Sequence, residues 1–153
     1  EQSWQLKQFQ LLTHHYRKAS CFEEFFPAIK NIYQRGHQKL QDLNLELLQF
    51  FLQVLGLKKE FVFASDLNIT TDKTERLIDI CRKLDGTAYL TGEGSRNYLD
   101  KSLFAEANIE VLWQDFTCPV YPQLHGEFMP DLSYFDILLN CGEASKDYLR
   151  KAI

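Results

Sequence analysis

A glycine loop is the first segment whose residue types suggest chemistry. It covers residues 92–97, GEGSRN, and follows a short apolar run that predicts a strand. Such a loop brings backbone N–H groups close to a ligand at the start of a helix, which favours phosphate binding. The same glycines are also typical of a simple tight turn. Both common phosphate fingerprints fail, because Asn97 stands in place of a third glycine and no Gly-Lys-Ser/Thr follows.

If the loop binds phosphate, its backbone and one of its side chains would each have a role. The backbone N–H groups of Gly92, Gly94 and Ser95 would face a phosphate, and the side chain of Arg96 would pair with it. The position of the loop after a strand of a predicted parallel sheet supports this interpretation, since ligands bind outside the carboxyl ends of such strands.

A second candidate segment is a loop rich in proline and glycine near the C-terminus. His125 lies in it beside Glu127 and would act as a general acid or base, with Glu127 or Asp136 orienting the imidazole. Tyr121 and Gln123 flank this histidine and would hydrogen-bond a sugar or nucleotide. The alternatives are structural: His125 would tether the loop, Tyr121 would pack in the interior, and Asp136 would tie down nearby N–H groups. No nucleophilic side chain lies at a spacing from His125 that would indicate a catalytic pair.

The histidines and cysteines lack the spacing of a metal site. The four cysteines are far apart and form no C-x-x-C pair, which argues against zinc. His14 and His15 would point about 100° apart on a helix, so we expect a solvated pair. Cys81 falls on an apolar helix face and is expected to be a small buried hydrophobe. We therefore predict neither a metal nor a cofactor, and the cysteine usage is typical of a reducing cytoplasm.

Composition and charge argue against several partners. The 153 residues are 45% hydrophobic, which suits one globular domain with a real core. The net charge is −4 and the 17 Lys and Arg are scattered among 21 Asp and Glu, so nucleic acid and anionic membrane surfaces are poor partners. No apolar run reaches the roughly 20 residues of a membrane span. The first residue is not Met, and we expect a fragment that lacks its N-terminal part.

The first third of the chain is predicted to be helical. Apolar residues recur at helical spacing over residues 4–19, 22–33 and 37–55, with Ser3 as the cap of the first helix. Pro27 falls inside the second pattern, so this helix either begins near the proline or bends there. The pattern gives a helical region over residues 1–57.

Residues 58–153 alternate between strands and helices. Short β-type runs at residues 60–64, 88–90 and 109–116 are separated by helical patterns. This order predicts a small three-layer parallel sheet of about three strands, a truncated Rossmann-like α/β fold with right-handed crossovers. Because the carboxyl ends of parallel strands meet at one edge, we expect the glycine loop and the segments that follow the other two strands to converge there.

Further helices are predicted between and after these strands. A helix begins after a cap at Thr71 or Asp72, and another near the C-terminus is capped by Asp131 or Ser133. A final short helix is expected from Ser145 to the end of the chain.

Two loop motifs resemble the WbqC-like protein family of bacteria. They are YLTGEGSRNYLD at residues 89–100 and PVYPQLHGEFMPDLSYFDILLNCG at residues 119–142, and their order and spacing are quite specific. The helical patterns at residues 4–16 and 73–84 fit as well. The resemblance therefore covers nearly the whole chain and points to one WbqC-like domain over residues 1–153.

The resemblance also implies site residues and a missing segment. It adds Tyr98, Asp131 and Ser133 to the candidate residues named above. Family members begin with a His-Gln-Pro-x-Tyr-x-Pro segment that this sequence lacks, so the chain resembles the C-terminal two thirds. Any catalytic residue of that segment would be absent. Gln8 stands where members tend to carry His, which weakens a role for the first helix in a site.

The family is associated with surface-polysaccharide (O-antigen) gene clusters. This implies an enzyme, or enzyme fragment, that transfers an acyl, aminoacyl or sugar-linked group from a small activated donor, either a nucleotide sugar or an acyl donor. The alternative is a non-catalytic binding or scaffold module that recruits a protein partner through the N-terminal helices. A pocket joining the loops near Gly94 and Tyr121 would favour the enzyme, and exposed Phe22, Phe25 or Phe26 would favour the module.

Overall fold

The chain divides into two compact units, which are described separately. The computed structural model describes residues 4–150. Within them, unit 1 comprises residues 4–59 and 118–150, and unit 2 is the continuous segment Glu60–Thr117. The C-terminal helices thus join the N-terminal helices in one unit. The single domain over residues 1–153 stays a prediction.

The regular elements follow the predicted order with one omission. In chain order they are α1 (Trp4–Tyr16), α2 (Phe22–Gln34), α3 (Leu40–Leu55), α4 (Lys73–Lys83), β1 (Ala88–Thr91), α5 (Lys101–Glu106), β2 (Glu110–Trp113), α6 (Tyr134–Cys141) and α7 (Ser145–Arg150). Pro27 lies inside α2, which begins at Phe22 and is not delayed to the proline. Ser3 and residues 151–153, where a cap and a helix end were predicted, lie outside the described residues.

The omission is the first predicted strand, residues 60–64. Residues 60–63 have no regular structure and Ala64 opens a 3-10 turn, Ala64–Leu67. In the described chain the sheet consists of β1 and β2, paired in parallel with Ala88 opposite Glu110 and Thr91 opposite Trp113. An apolar run forms a strand where a neighbouring strand pairs with it, and this one has no such neighbour. The α/β class fits, whereas three strands and a Rossmann-like topology are not confirmed.

Aromatic packing of α2 forms the core of unit 1. Phe22, Phe25 and Phe26 are 6–9% exposed and lie in one cluster with the fully buried Leu138 and Leu139 of α6. Their burial follows from the apolar face that the spacing predicted. These three phenylalanines therefore do not form the exposed patch that would have favoured the alternative, a scaffold module.

Unit 2 packs its helices on one face of the small sheet. Phe104 of α5 is fully buried and stacks on Tyr89 of β1, with 5.2 Å between the ring centroids. Cys81 of α4 is buried in the same cluster, as predicted. The other face of the sheet leaves Leu90 and Leu112 exposed, because successive residues of a strand point to opposite sides.

Side-chain caps fix the starts of two short helices. The Oγ atom of Ser133 accepts a hydrogen bond from the backbone N–H of Phe135 and caps α6, one of the two caps predicted there. Asp100 caps α5 by accepting from the backbone N–H of Ser102 at 3.0 Å. Such a cap is worth about 1 kcal/mol of helix stability.

The turn after α6 generates a prediction for stability. Gly142 has φ 56° and ψ −134°, and a Cβ built on it would lie 2.8 Å from Cys21 Sγ. Gly142→Ala should therefore lower the free energy of unfolding by about 2–4 kcal/mol, since strain and a clash add. Gly126→Ala is the matched control, because Gly126 has φ +60° with open space around it. That change should cost about 1–2 kcal/mol. Equal losses in urea denaturation would contradict the clash.

Candidate functional site

The glycine loop of unit 2 is held by its own serine. Ser95 is 4% exposed, and its hydroxyl donates to the carbonyl of Gly92 at 2.8 Å. The Oγ atom of Thr91 lies 2.7 Å away, and its hydroxyl is left to donate to Ser95. Residues Glu93–Asn97 form a 3-10 turn around this hydroxyl. The side chain of Ser95 thus shapes the loop from inside.

The two glycines leave open space at the surface of the loop. A Cβ built on Gly92 or on Gly94 would meet no atom within 4 Å. Neither glycine has the left-handed backbone that excludes other residues, so the fold itself does not require glycine there. Tyr98 follows the loop and is 70% exposed. Bare backbone beside an exposed aromatic ring is compatible with close approach of a ligand.

Two cations lie over an aromatic ring at the same edge of the sheet. Thr91 and Trp113 are partners at the carboxyl ends of β1 and β2. The guanidinium carbon of Arg96 lies 4.2 Å from the centroid of the Trp113 ring, and Lys101 Nζ lies 4.9 Å from it. Each such contact contributes about 0.5–1 kcal/mol at an exposed site. The arrangement holds two cations beside the glycine loop.

Glu93 neutralises part of this positive charge. Arg96 binds the Glu93 carboxylate in a bidentate pair, with 2.6 Å between Nη2 and Oε1. The hydrogen bond from Arg96 lowers the pKa of Glu93. Because both side chains are about half exposed, the pair adds little stability. Glu93, Arg96 and Lys101 together carry a net charge of +1.

Unit 1 contains a buried carboxylate bound by two phenols and an amide. Asp136 is 5% exposed. Tyr16 donates to its Oδ1 at 2.9 Å, whereas Tyr121 at 2.9 Å and Gln123 at 3.0 Å donate to Oδ2. Hydrogen bonds of this kind offset the cost of burying a charge. Asp136 therefore joins α1, the proline-rich loop and α6 through one side-chain N–H group, as in the structural alternative, and through two phenols.

Gln123 also fixes the tip of the loop. Its side-chain amide donates to the carbonyl of Met129 at 2.8 Å and accepts from the N–H of Met129 at 2.8 Å. These two hydrogen bonds resemble those between two paired strand residues. They close the loop between Gln123 and Met129. Tyr121, 7% exposed, packs edge-on against Phe128 within that segment. Packing, the alternative considered for Tyr121, is what the structure shows.

His125 and Glu127 lie on the exposed part of this loop. The Nε2 atom of His125 is 3.0 Å from the carbonyl oxygen of His15, to which it donates as Nε2–H. None of the bonds among residues 4–150 joins His125 to Glu127 or Asp136, so the predicted orienting pair does not form. The tethering alternative describes His125, and its role in catalysis stays a prediction.

Burial and the carboxylate shift the two phenols in the same direction. Burial raises the pKa of Tyr121 to about 12, and hydrogen bonding to Asp136 adds to the rise against an opposing bond from Gln123. The pKa of Tyr16 is also raised well above its ordinary value, by burial and then by its hydrogen bond to Asp136. Both phenols stay protonated through the physiological range and remain donors.

Comparison with known proteins identifies the family. The profile of the WbqC-like protein family matches residues 1–148. The chain belongs to the WbqC-like protein family.

A relative of this WbqC-like chain occurs in Mycobacterium tuberculosis. It is the uncharacterized protein Rv1507c, which is 34% identical over 149 residues. The match covers 96% of this chain, and the chain spans 64% of the length of that relative. No solved structure shows significant similarity to the chain.

The structure brings some predicted residues together and separates others. Gly92, Gly94, Ser95, Arg96 and Tyr98 lie in unit 2, whereas Tyr121, Gln123, His125, Glu127 and Asp136 lie in unit 1. Asp131 and Ser133 flank the start of α6, where Ser133 serves as the cap. The predicted pocket that joins the two loops stays a prediction. The ligand and catalytic roles of these residues do so as well.

Sequence reasoning missed three side chains of this WbqC-like chain. Trp113 and Lys101 were not among the candidates, although pairing the two strand ends would have placed Trp113 beside the glycine loop. Tyr16 belongs to the helical repeat predicted over residues 4–19, and no local signal pairs it with Asp136, 120 positions away.

The described residues contain neither a metal-binding cluster nor a membrane-spanning helix. Among residues 4–150, no group of three or more His, Cys, Asp or Glu side chains is arranged to hold a metal ion. No helix in that range is long and apolar enough to cross a bilayer.

Removing the charge of Asp136 should destabilise unit 1. In Asp136→Asn an amide nitrogen replaces one acceptor oxygen, and at least one donor loses its partner. We expect the free energy of unfolding to fall by about 2–4 kcal/mol in urea denaturation. Asp147→Asn, at an exposed pair with Arg150, is the control and should change it by less than about 0.5 kcal/mol. An unchanged Asp136→Asn protein would show that the carboxylate is dispensable.

The raised phenol pKa predicts loss of stability at high pH. The folded pKa of Tyr121, about 12, exceeds the ordinary value of 10.0, so its contribution is complete below pH 10 and is lost as the pH rises toward 12. The wild-type protein should lose about 2 kcal/mol more than Tyr121→Phe over this window. Tyr98→Phe, which removes an exposed phenol, should keep the wild-type decrease. Identical pH profiles for wild type and Tyr121→Phe would refute the coupling.

Proposed function

We propose that the chain is an enzyme, or part of one, in bacterial surface-polysaccharide (O-antigen) assembly. In this proposal it transfers an acyl, aminoacyl or sugar-linked group from a small activated donor, a nucleotide sugar or an acyl donor that carries phosphate. Membership of the WbqC-like family supports the setting. The chain spans part of its relative, so the activity is proposed for the whole protein of which this chain supplies the described units.

The observation that carries the proposal is the positive edge of the sheet in unit 2. Arg96 and Lys101 are held over Trp113, and the neighbouring Gly92 and Gly94 leave their backbone unobstructed. A phosphate placed there would meet the Lys101 ammonium group and the part of the Arg96 guanidinium that Glu93 does not occupy, and it could approach the backbone at both glycines. It would also lie outside the carboxyl ends of parallel strands, where α/β proteins bind ligands.

In unit 1, the loop rich in proline and glycine carries the candidate groups for proton transfer and positioning. His125 and Glu127 are exposed and would move a proton. Tyr121 and Gln123 are already engaged with Asp136, so we assign them the positioning of the loop and, through it, of the substrate. Asp136 holds these donors and is not assigned a proton. The four cysteines are free, which suits the cytoplasm, where we place the protein.

A scaffold function finds less support. The phenylalanines of α2 that would have marked a docking face are buried in the core of unit 1. A protein partner bound through the N-terminal helices would have to use other residues.

Two substitutions in the glycine loop test phosphate binding. Gly94→Val fills space that is open in the structure and should abolish binding of nucleotide sugars or acyl donors in calorimetry, while the fold is kept. Arg96→Gln should weaken binding by about tenfold or more. Arg82→Gln is the matched control, because Arg82 forms a comparable exposed i,i+3 pair with Asp79 in the same unit.

Two results would overturn this function. One is unchanged affinity in a folded Gly94→Val protein. The other is the absence of binding to wild type across a panel of nucleotide sugars and phosphate-bearing acyl donors.

A further inference from the structure

Unit 2 contains a cavity that the glycine loop does not account for. Its volume is about 750 Å³, within the range of small-molecule sites. It lies between the first turn of α4 and the segment that leads from Tyr98 into α5. The residues that line it are Asp72, Lys73, Thr74, Glu75, Leu77, Tyr89, Tyr98, Asp100 and Leu103.

The floor of the cavity is apolar and rigid. Leu77, Tyr89 and Leu103 pack against the buried cluster of unit 2. The Tyr89 ring is further held by stacking on Phe104. A floor fixed in this way presents the same shape to every ligand, which lowers the entropy cost of binding.

Tyr98 gives the cavity an aromatic wall that faces solvent. It is 70% exposed, an unusual degree for a large aromatic side chain. The face of such a ring attracts a cation and stacks on apolar ring faces. The opposite wall is tied to this segment by a hydrogen bond of 3.2 Å from the N–H of Asp100 to Thr74 Oγ1.

The charged residues that line the cavity determine whether a cationic or an anionic ligand is favoured. Asp72, Glu75 and Asp100 outnumber Lys73, which gives the lining a net charge of −2. Asp72 occupies the N-cap position of α4, but its side chain makes no capping bond. Hydrogen bonds from Ser102 lower the pKa of Asp100 and keep it ionised. This negative charge outweighs the partial positive charge of about +0.5 at the uncapped start of α4, so a protonated amine is favoured over an anion.

We propose that this cavity binds a small molecule that contains one ring and a protonated amine. The ring lies against Tyr98 and the apolar floor, and the ammonium group faces the carboxylates. The cavity is thereby distinct in chemistry from the positive edge proposed for phosphate. Amine binding at this cavity does not depend on the proposed function.

Three ring compounds that differ in charge test the inference. Cyclohexylamine, cyclohexanol and cyclohexanecarboxylate are titrated separately into the ¹⁵N-labelled wild-type chain, and amide shifts are followed by NMR. Cyclohexylamine should shift amides of the lining residues. Cyclohexanol should bind about three- to tenfold more weakly, because it lacks the charge. The carboxylate should not shift them. Equal binding of all three, preference for the anion, or no shift at these residues would overturn the proposal.

Variants separate the roles of the ring and of the charge. Tyr98→Ala should abolish cyclohexylamine binding, whereas Tyr98→Phe should retain it. Leu90→Ala, at an exposed residue on the uncovered sheet face, is the control and should bind as wild type does. Asp72→Asn should lower the affinity for cyclohexylamine toward that of cyclohexanol and leave cyclohexanol unchanged. Amine binding that survives Tyr98→Ala, or an equal loss for both compounds in Asp72→Asn, would contradict the assigned roles.

One variant distinguishes amine binding at the cavity from phosphate binding at the glycine loop. Gly94→Val should leave cyclohexylamine binding intact, since Gly94 does not line the cavity. Loss of amine binding in Gly94→Val would show that the cavity and the loop form one site, against the separation proposed here.

Discussion

The buried carboxylate of Asp136 is the constraint on which unit 1 depends. It has no cationic partner among the described residues, and its charge is stabilised by hydrogen bonds from Tyr16, Tyr121 and Gln123. A buried anion without such donors would be costly, so the three donors must remain in place whenever the unit is folded. They come from a helix at one end of the chain and a loop near the other. One carboxylate thus joins both segments to α6.

The same carboxylate anchors a loop that contains three prolines and a glycine. Proline restricts the backbone of the segment but gives it no N–H to pair. The missing backbone bonds are replaced by side chains: Gln123 pairs with both polar groups of Met129, and Tyr121 anchors the loop below. His125 adds a bond to the carbonyl of His15 from the exposed side. Three residues that the sequence singled out as site candidates, Tyr121, Gln123 and His125, therefore also hold the loop in position.

Local sequence patterns were sufficient to predict most helices and the order of the elements. The phenylalanines of α2 recur at helical spacing and are buried together, and Ser133 caps α6 because a serine there can accept an N–H bond. Residues 60–64 failed as a strand because strand formation needs a partner, which no local window contains. The pairing of Tyr16 with Asp136 and the stacking of Arg96 on Trp113 were not predicted, for the same reason. Each depends on residues that folding brings together.

The insertion of unit 2 between the two parts of unit 1 has a consequence for synthesis on the ribosome. Unit 2 is continuous, so all of its partners have emerged once Thr117 is free. Unit 1 is not complete until α6 is made, since Phe22 and Phe25 pack with Leu138 and Leu139. After the N-terminal helices are made, some eighty further residues must be added before α6 can cover their apolar surface. We therefore expect the later segment to fold first, and the nascent N-terminal helices to be the part of the chain that needs protection from aggregation.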